Sequence, residues 1–296
     1  MGRILSILAV LIVIGAAVFW YVTRPVMADA EVLAGLEPDL ERGEWVFYAG
    51  GCASCHAPEG ASGEEKLILS GGRPLESDFG TFYAPNISSD PAEGIGGWSA
   101  LDLYNAMHHG VSPEGSHYYP AFPYTAYVNA TPQDIVSLHG FLQTLPASDT
   151  PSQPHDVGFP FNIRRSLGGW KFLFLNDDFV VTAGLDDTTT QGRYIAEALG
   201  HCAECHTERN ILGGLNKSRW LGGAPNPSGE GRVPNITPAA LDWAEADLVE
   251  YFTSGFTPMF DSVGGHMADV VTNLAELPEA DRAALAAYLK AVPPIE

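Results

Sequence analysis

The chain has 296 residues, 46% of them hydrophobic, which is enough for two domains with hydrophobic cores of their own. Its 36 Asp and Glu residues against 15 Lys and Arg give a formal net charge of −21 at pH 7. This acidity disfavours binding to nucleic acid or to an anionic membrane surface, and it suits docking of a basic partner.

The first element is an apolar stretch from Ile4 to Val22 that carries no charge. At about 1.5 Å per residue, a helix of this length spans a hydrocarbon core, and Trp20 and Tyr21 fall where an interfacial aromatic belt lies. Arg3 favours a cytoplasmic N-terminus, which places the remaining chain in the periplasm. A cleaved signal peptide is the alternative, although its apolar region usually has about 7–15 residues. We therefore expect an uncleaved transmembrane helix with a short linker over residues 1–30.

All four cysteines belong to two copies of one pattern, CASCH at 52–56 and CAECH at 202–206. A redox-active CxxC pair needs no His directly after it, and a zinc site needs four ligands in one place. CxxCH is the attachment signature of c-type haem, in which two thiols bond to the porphyrin and the adjacent His binds the iron. The sequence therefore predicts two covalently bound haem c groups. Their attachment and iron-binding residues are Cys52, Cys55, Cys202, Cys205, His56 and His206.

An internal repeat extends beyond the haem motifs. A PNI string follows each motif, and the stretch from Trp98 to Pro113 matches that from Trp243 to Pro258 at a constant spacing of 145 residues. Each copy ends in an amphipathic helix whose apolar residues recur every three or four positions. The predicted fold is all-α, and its two haem domains, the first half and the second half below, cover residues 31–147 and 189–296.

Residues 148–188 join the two predicted domains and contain an aromatic-rich stretch from Phe159 to Phe179. This stretch is too apolar for a free linker. We expect it to pack over both domains and to fix their relative pose, which would leave the haems close enough to exchange electrons. Packing on one domain only is the alternative.

Several longer strings accompany the haem motifs, among them RGEWVFYAGGCASCHAPEG, YPAFPYTAY, FPFNIRRSLGGWKFLF and GGHMADVV. From about residue 42 to 292 the chain resembles the periplasmic multi-haem cytochrome c subunits of membrane-associated alcohol, aldehyde and gluconate dehydrogenases. The resemblance implies tandem class I cytochrome c domains that accept electrons from a dehydrogenase. Many members carry three haems and a C-terminal anchor. This chain has two haem motifs and an N-terminal apolar stretch, which leaves its donor open.

Each low-spin haem needs a second axial ligand, usually Met or His. The loop FTPMFDSVGGHMADVV of the second half offers Met259 and Met267, and the resemblance to GGxMAxVV strings of the family points to Met267. The spacing of 145 residues carries Met267 back onto Phe122, which cannot bind iron. The two haems are therefore expected to have different ligands.

For the first haem, His117 is the leading candidate because it lies on the corresponding loop. His108, His109 and Met107, at the end of the preceding helix, remain alternatives, as does an open site. Arg73 in the string GGRP is expected to pair with a haem propionate, since a guanidinium forms charge-assisted hydrogen bonds with carboxylates.

These features favour an electron-transfer protein without substrate chemistry of its own. A periplasmic dehydrogenase would donate electrons, and a soluble cytochrome or a terminal oxidase would accept them. The lipid bilayer of the bacterial inner membrane is the further partner, and the charge excludes nucleic acid. The alternative is a dihaem enzyme of the peroxidase type that uses a first haem without a Met ligand. A Cys-ligated haem enzyme is excluded because the haem motifs use all four cysteines.

Overall fold

The computed structural model describes residues 2–226 and 231–296. Within these ranges helices form the body of the chain. They are α1 (Gly2–Val22), α2 (Leu40–Ala49), α3 (Cys52–His56), α4 (Ala100–His109), α5 (Tyr124–Tyr127), α6 (Pro132–Leu142), α7 (Ser166–Phe174), α8 (Asp187–Arg193), α9 (Ala203–His206), α10 (Glu245–Ser254), α11 (His266–Leu274) and α12 (Glu279–Ala291). A π-helical turn, Tyr194–Leu199, continues α8, and short 3-10 turns occupy Ala30–Leu33, Gly63–Leu67 and Lys217–Arg219.

The prediction of an all-α chain is too simple, because two small antiparallel sheets follow the haem motifs. Their strands are β1 (Pro74–Ser77), β2 (Gly80–Tyr83), β3 (Asp156–Val157), β4 (Ala224–Pro225) and β5 (Arg232–Val233), in the orders β1-β2-β3 and β4-β5. Gly80, with φ of 125°, allows β3 to approach, since a Cβ there would lie 2.2 Å from the Asp156 carbonyl oxygen. The chain is therefore mostly helical, with small sheets in its loops.

The two halves repeat the same helix crossing. In the first half α2 packs on α6, and in the second half α8 packs on α12. Each crossing is close because a glycine faces the partner backbone: a Cβ on Gly43 would lie 2.1 Å from the Ser137 carbonyl oxygen, and one on Gly192 would lie 1.9 Å from that of Ala284. A side chain at either glycine would force these helices apart.

Local sequence signals set the helix ends in both halves. The hydroxyl of Ser99 accepts a hydrogen bond from the Asp102 N–H (3.2 Å) at the start of α4, and Thr131 does the same for Asp134 (3.1 Å) at the start of α6. Helices α4 and α10 both end in a left-handed glycine, Gly110 with φ of 58° and Gly255 with φ of 77°. The repeat in the sequence is thus a repeat of helix boundaries.

The hydrophobic core is one cluster that runs through both halves. Phe47 and Ile135 are buried in the first half, and Leu199 and Tyr288 are buried in the second. Residues before the two haem motifs approach each other, since a Cβ on Gly200 would lie 3.5 Å from the Ala49 carbonyl oxygen. Apolar burial of this kind is the main favourable contribution to folding.

Helix α1 extends away from this body, and its side chains are exposed. Within the described ranges it is the one helix long and apolar enough to cross a membrane, properties that an anchor and a signal sequence share. The segment between the halves contacts both of them. Its strand β3 pairs with β2 of the first half, and the Trp170 indole N–H donates to the Leu212 carbonyl of the second half (2.8 Å).

Candidate haem-binding sites

The two CxxCH histidines are held in the same way. Each ends the short helix formed by its motif, α3 or α9. The Nδ1 atom of His56 lies 2.8 Å from the Pro85 carbonyl oxygen, and that of His206 lies 2.8 Å from the Pro234 carbonyl oxygen. An Nδ1–H that donates to a carbonyl leaves Nε2 with a free lone pair, the arrangement of a metal-binding imidazole. Burial lowers the pKa of both rings, which favours this neutral form.

The four cysteines form no disulfide, so all four are available for attachment to haem. Burial raises the pKa of Cys52 and of Cys202 to about 12. A redox-active dithiol needs a lowered thiol pKa. These thiols therefore do not suit that chemistry.

The donor set of each motif fits haem and does not fit a bare metal ion. Each motif supplies two thiols and one imidazole with a free Nε2. Among the residues that the structure describes, no group of three or more His, Cys, Asp or Glu side chains could hold a metal ion. A haem brings its own four nitrogen ligands, so the protein needs to supply only the axial ones.

Met267 is the second residue of α11 and packs, partly buried, against the core. Met259, the other methionine of this loop, is 81% exposed. The structure thus separates the two candidates in the way expected if Met267 faces a haem and Met259 does not. The assignment of Met267 as an iron ligand remains a prediction.

The loop that carries Met267 has a counterpart in the first half. The Tyr118 N–H donates to the Gly110 carbonyl (2.7 Å), and the Val263 N–H donates to the Gly255 carbonyl (2.8 Å), at the spacing of 145 residues. Phe122 follows Tyr118 by four residues, and Met267 follows Val263 by four residues, so the two occupy equivalent positions. Further on, the matching residues Val128 and Ala275 that cap α5 and α11 are 147 apart. The second half therefore gains two residues between Met267 and Ala275, within α11, which is longer than α5.

Phe122 lies in an aromatic cluster and offers no ligand atom. Its ring is 5.7 Å from that of Tyr118 and 5.6 Å from that of Tyr127. The hydroxyl of Tyr127 donates to the Gly50 carbonyl (3.4 Å), next to the first haem motif. Aromatic contacts thus occupy the place where the second half has a methionine.

His117 is 3% exposed, and both of its ring nitrogens have protein partners. Its Nε2 lies 2.9 Å from the Thr23 carbonyl oxygen at the end of α1, and its Nδ1 lies 3.1 Å from the Lys171 ammonium nitrogen. In this arrangement neither nitrogen is free for iron. The assignment of His117 as the ligand of the first haem stays a prediction that these contacts do not support.

The other candidates for the first haem lie in or near α4. Met107 is buried in the core at the position that Phe252 occupies in α10. The ring of His108 stacks on Tyr104 at 4.6 Å, and its Nε2 lies 3.3 Å from the Ala130 carbonyl oxygen. His109 is half-buried beside the same tyrosine. These contacts leave the sixth ligand of the first haem unassigned.

Arg73 joins the two halves. Its guanidinium donates to the Ser54 carbonyl inside the first haem motif and to the Asp269 carboxylate on α11 (2.8 Å), and it lies 2.9 Å from His266 Nδ1. Its pairing with a haem propionate stays a prediction, and the contacts observed here are with the other half.

Reciprocal contacts between the halves could not be recognised from the sequence. The Thr125 hydroxyl of α5 donates to the Glu204 carboxylate within the second haem motif (2.8 Å), and the Asn273 amide of α11 donates to the Ser54 hydroxyl within the first (2.9 Å). Each haem motif is thus contacted by a helix of the opposite half. The residues involved are ordinary polar side chains, and their spacing along the chain gives no signal of contact.

A second reciprocal pair links the crossing helices. The Trp45 indole N–H of α2 donates to the Asp281 carboxylate of α12 (2.7 Å), and the Tyr194 hydroxyl donates to the Asp134 carboxylate of α6. Asp134 also accepts from Arg42. The first and last helices of the two halves therefore form one interface around an approximate two-fold relation.

Comparison with known proteins identifies the class. Residues 40–146 match the cytochrome c family. The protein "Diheme cytochrome c-type" of Cereibacter sphaeroides is 58% identical over 289 residues, which are 98% of this chain and 97% of that relative. The chain therefore belongs to the dihaem cytochromes c: it binds two haem c groups covalently and transfers electrons, as the CxxCH motifs predict.

Two further relatives are dehydrogenase subunits. The fructose dehydrogenase cytochrome subunit of Gluconobacter japonicus is 35% identical over 291 residues, 96% of this chain and 58% of the relative. The gluconate 2-dehydrogenase cytochrome c subunit of Pantoea cypripedii is 32% identical over 267 residues, 86% of this chain and 59% of the relative. The chain spans somewhat more than half of these two subunits. The resemblance to cytochrome subunits of dehydrogenases is confirmed, and it disfavours the peroxidase alternative.

Proposed function

We propose that the chain is a membrane-anchored electron carrier of the bacterial inner membrane, with both haems in the periplasm. It accepts electrons from a periplasmic dehydrogenase and passes them to a soluble cytochrome or a terminal oxidase. The two halves, residues 31–147 and 189–296, act as tandem class I cytochrome c domains. The observation that carries the proposal is the pair of identical imidazole–carbonyl contacts, at His56 and His206, in two halves that touch beside their haem motifs.

The protein's own residues position each haem and restrict its movement. The Pro85 and Pro234 carbonyls fix the orientation of the proximal rings. Asn86 and Asn235 hold the loops that follow: the Asn86 amide donates to the Ser148 carbonyl (2.8 Å), and that of Asn235 donates to the Ile295 carbonyl (2.7 Å). The haem, when bound, supplies one-electron chemistry. A rigid frame of this kind keeps reorganisation small as the iron changes charge.

The two sites differ in the ligand on the far side. Met267 is available in the second half, whereas the aromatic cluster around Phe122 takes the equivalent place in the first. A thioether ligand raises the potential of haem iron. Electrons therefore enter at the first haem and move to the second, across an interface in which the Tyr127 and His201 rings are 5.8 Å apart.

The test uses paired variants of the full chain. The double variant Cys52→Ala and Cys55→Ala should keep one covalent haem per chain, in the second half. The double variant Cys202→Ala and Cys205→Ala should keep one covalent haem in the first half. Haem is counted in denatured protein by its pyridine complex. In membranes that contain the wild type, addition of an alcohol, an aldehyde or a sugar acid should reduce both haems. In membranes that contain either single-haem variant, electron transfer from the substrate to the acceptor should be lost. A single-haem form that still supports full flow would contradict the serial role of the two haems.

A further inference from the structure

The segment between the halves presents an unusual apolar surface. Phe159 is 82% exposed and Phe172 is 73% exposed, and Phe161, Ile163 and Leu173 are also exposed. The inner side of α7 is occupied by Gly168 and by the buried Lys171, so the apolar residues Phe172 and Leu173 point outward. We call Phe159 to Phe174 the aromatic strap. Exposed apolar residues in such a cluster mark a contact surface.

The aromatic strap is attached to the end of the apolar helix α1. The Arg165 guanidinium donates to the Trp20 carbonyl (2.7 Å) and to the Thr23 hydroxyl (2.9 Å), and it lies over the Trp20 ring. Gly168 permits this approach, since a Cβ there would lie 2.5 Å from the Thr23 carbonyl oxygen. The strap therefore lies at the depth where α1, if it spans a membrane, leaves the hydrocarbon.

The sequences of α1 and of the strap are basic, in contrast to the chain as a whole. No Asp or Glu precedes Asp29, and none lies between Asp156 and Asp177, although the chain has 36 acidic residues. The local charges at the surface of these stretches come from Arg24, Arg164 and Arg165, while Lys171 of the strap is buried. A basic surface with exposed aromatic residues suits the headgroup layer of a membrane with anionic lipids.

A loop of the second half extends the same surface. The Phe161 ring lies 5.0 Å from that of Phe79, which lies close to Gly213, since a Cβ there would be 3.4 Å from the Phe79 ring. Next to Gly213 are Ile211, which is 95% exposed, and Leu212, whose carbonyl accepts from the Trp170 indole. The apolar surface thus includes both halves.

We propose that the aromatic strap lies in the lipid headgroup layer, as a second membrane contact beside α1. With α1 in the bilayer and the strap in the headgroup layer, the two halves of the protein cannot rotate freely about α1. The strap therefore fixes the orientation of both halves relative to the bilayer. This inference rests on the proposed anchoring by α1. A protein partner is the other possible occupant, but direct continuity with α1 and the local basic charge favour lipid.

The experiment uses full-length holoprotein in lipid nanodiscs of phosphatidylcholine, with and without phosphatidylglycerol. A carbene-generating hydrophobic label is dissolved in the lipid and activated by light, and the labelled residues are located by mass spectrometry. The loop with Met259 and Phe260 is the matched control, since Phe260 is 87% exposed but contacts neither α1 nor the strap through any ring contact or hydrogen bond of the described residues. We expect labelling of α1 and of the strap, none of the control loop, and severalfold more strap labelling with phosphatidylglycerol.

Variants separate the strap from the anchor. The double change Phe172→Glu and Leu173→Glu should remove label from the strap and leave α1 labelled, whereas Phe260→Glu should change nothing. The haem spectra of both variants report that the body is folded. Label on α1 with none on the wild-type strap would overturn the inference, leave the anchor intact and assign this face to a protein partner. Label on the control loop equal to that on the strap would also overturn it, because the label would then follow exposed apolar surface alone. Absence of α1 from the mature protein would refute the anchor and the inference together.

Discussion

At the scale of single residues, the histidines of this chain differ by what their ring nitrogens contact. His56 and His206 have one nitrogen on a backbone carbonyl and the other free, whereas His117 has partners on both. The contacts of His56 and His206 thus suit a metal ligand, whereas those of His117 suit a structural link. The difference lies in the second partner, which in the case of His117 comes from α7.

Two carboxylates at the interface between the halves, Asp134 and Asp281, also differ by what they contact. Asp134 accepts from Arg42 at 2.7 and 2.8 Å and from Tyr194, and its side chain is almost fully buried. Replacement by Ala leaves a guanidinium without its partner. We expect Asp134→Ala to lower the free energy of unfolding by about 2–3 kcal/mol, less than for a fully buried pair because Arg42 is partly exposed.

Asp281 is the matched control for this prediction. It occupies the equivalent place in the second half, but among the described residues its hydrogen-bond donors are the neutral side chains of Trp45 and Gln191, and Arg42 acts on it only through its charge. Asp281→Ala should therefore cost only about 1 kcal/mol. Urea unfolding of the holoprotein, followed by circular dichroism, measures both. Equal losses would show that the charged pair adds nothing to the hydrogen bonds.

At the scale of elements, α7 covers a loop in the first half that is open in the second. Lys171 of α7 is buried, and its ammonium donates to the carbonyls of His109 (2.7 Å) and Gly110 (2.5 Å) and to His117. The equivalent loop of the second half exposes Phe256, Met259 and Phe260. The covering helix therefore makes the two similar halves different in their surroundings.

The burial of Lys171 predicts a dependence of stability on pH. Burial lowers its pKa from 10.5 to about 7. Below pH 7 the amine is protonated in the folded and unfolded states, and the cost of burying its charge is fully present. Between about pH 7 and 10 only the unfolded state keeps the proton, so this lysine makes the free energy of unfolding rise with pH.

The variant Lys171→Met lacks this titration. The difference in unfolding free energy between wild type and variant should therefore increase in favour of the wild type from pH 7 to pH 10, by at most about 1.4 kcal/mol per pH unit. Urea unfolding of both proteins at a series of pH values measures it. A difference that stays constant over this range would show that the buried amine keeps its proton.

The sequence predicts the elements better than it predicts their contacts. The repeat, the haem motifs and the helix ends at Gly110 and Gly255 are local patterns, so they can be recognised without a structure. The change of spacing within α11 depends on how far a helix extends, and a constant spacing conceals it. The partners of Arg73 and His117 lie far away along the chain, at 266–269 and at Thr23. Their roles depend on tertiary packing that no local pattern encodes.

At the scale of the whole molecule, the two halves form one unit around their haem motifs. The reciprocal contacts of Thr125 with Glu204 and of Asn273 with Ser54 place each motif against the opposite half. Such an arrangement favours exchange of electrons between the haems, and the net charge of −21 favours a basic external partner. The proposed direction of transfer depends on the prediction that the two haems have different axial ligands.

A redox titration of the full-length protein, followed by visible absorption and near-infrared magnetic circular dichroism, tests this account most directly. We predict two one-electron steps, of which only the one at higher potential shows the charge-transfer band of a methionine bound to ferric iron. Met267→Ala should abolish the band and alter only that step, whereas the exposed Met259 can be replaced by Ala without effect. A band that survives Met267→Ala, or a wild type in which both haems show it, would contradict the account.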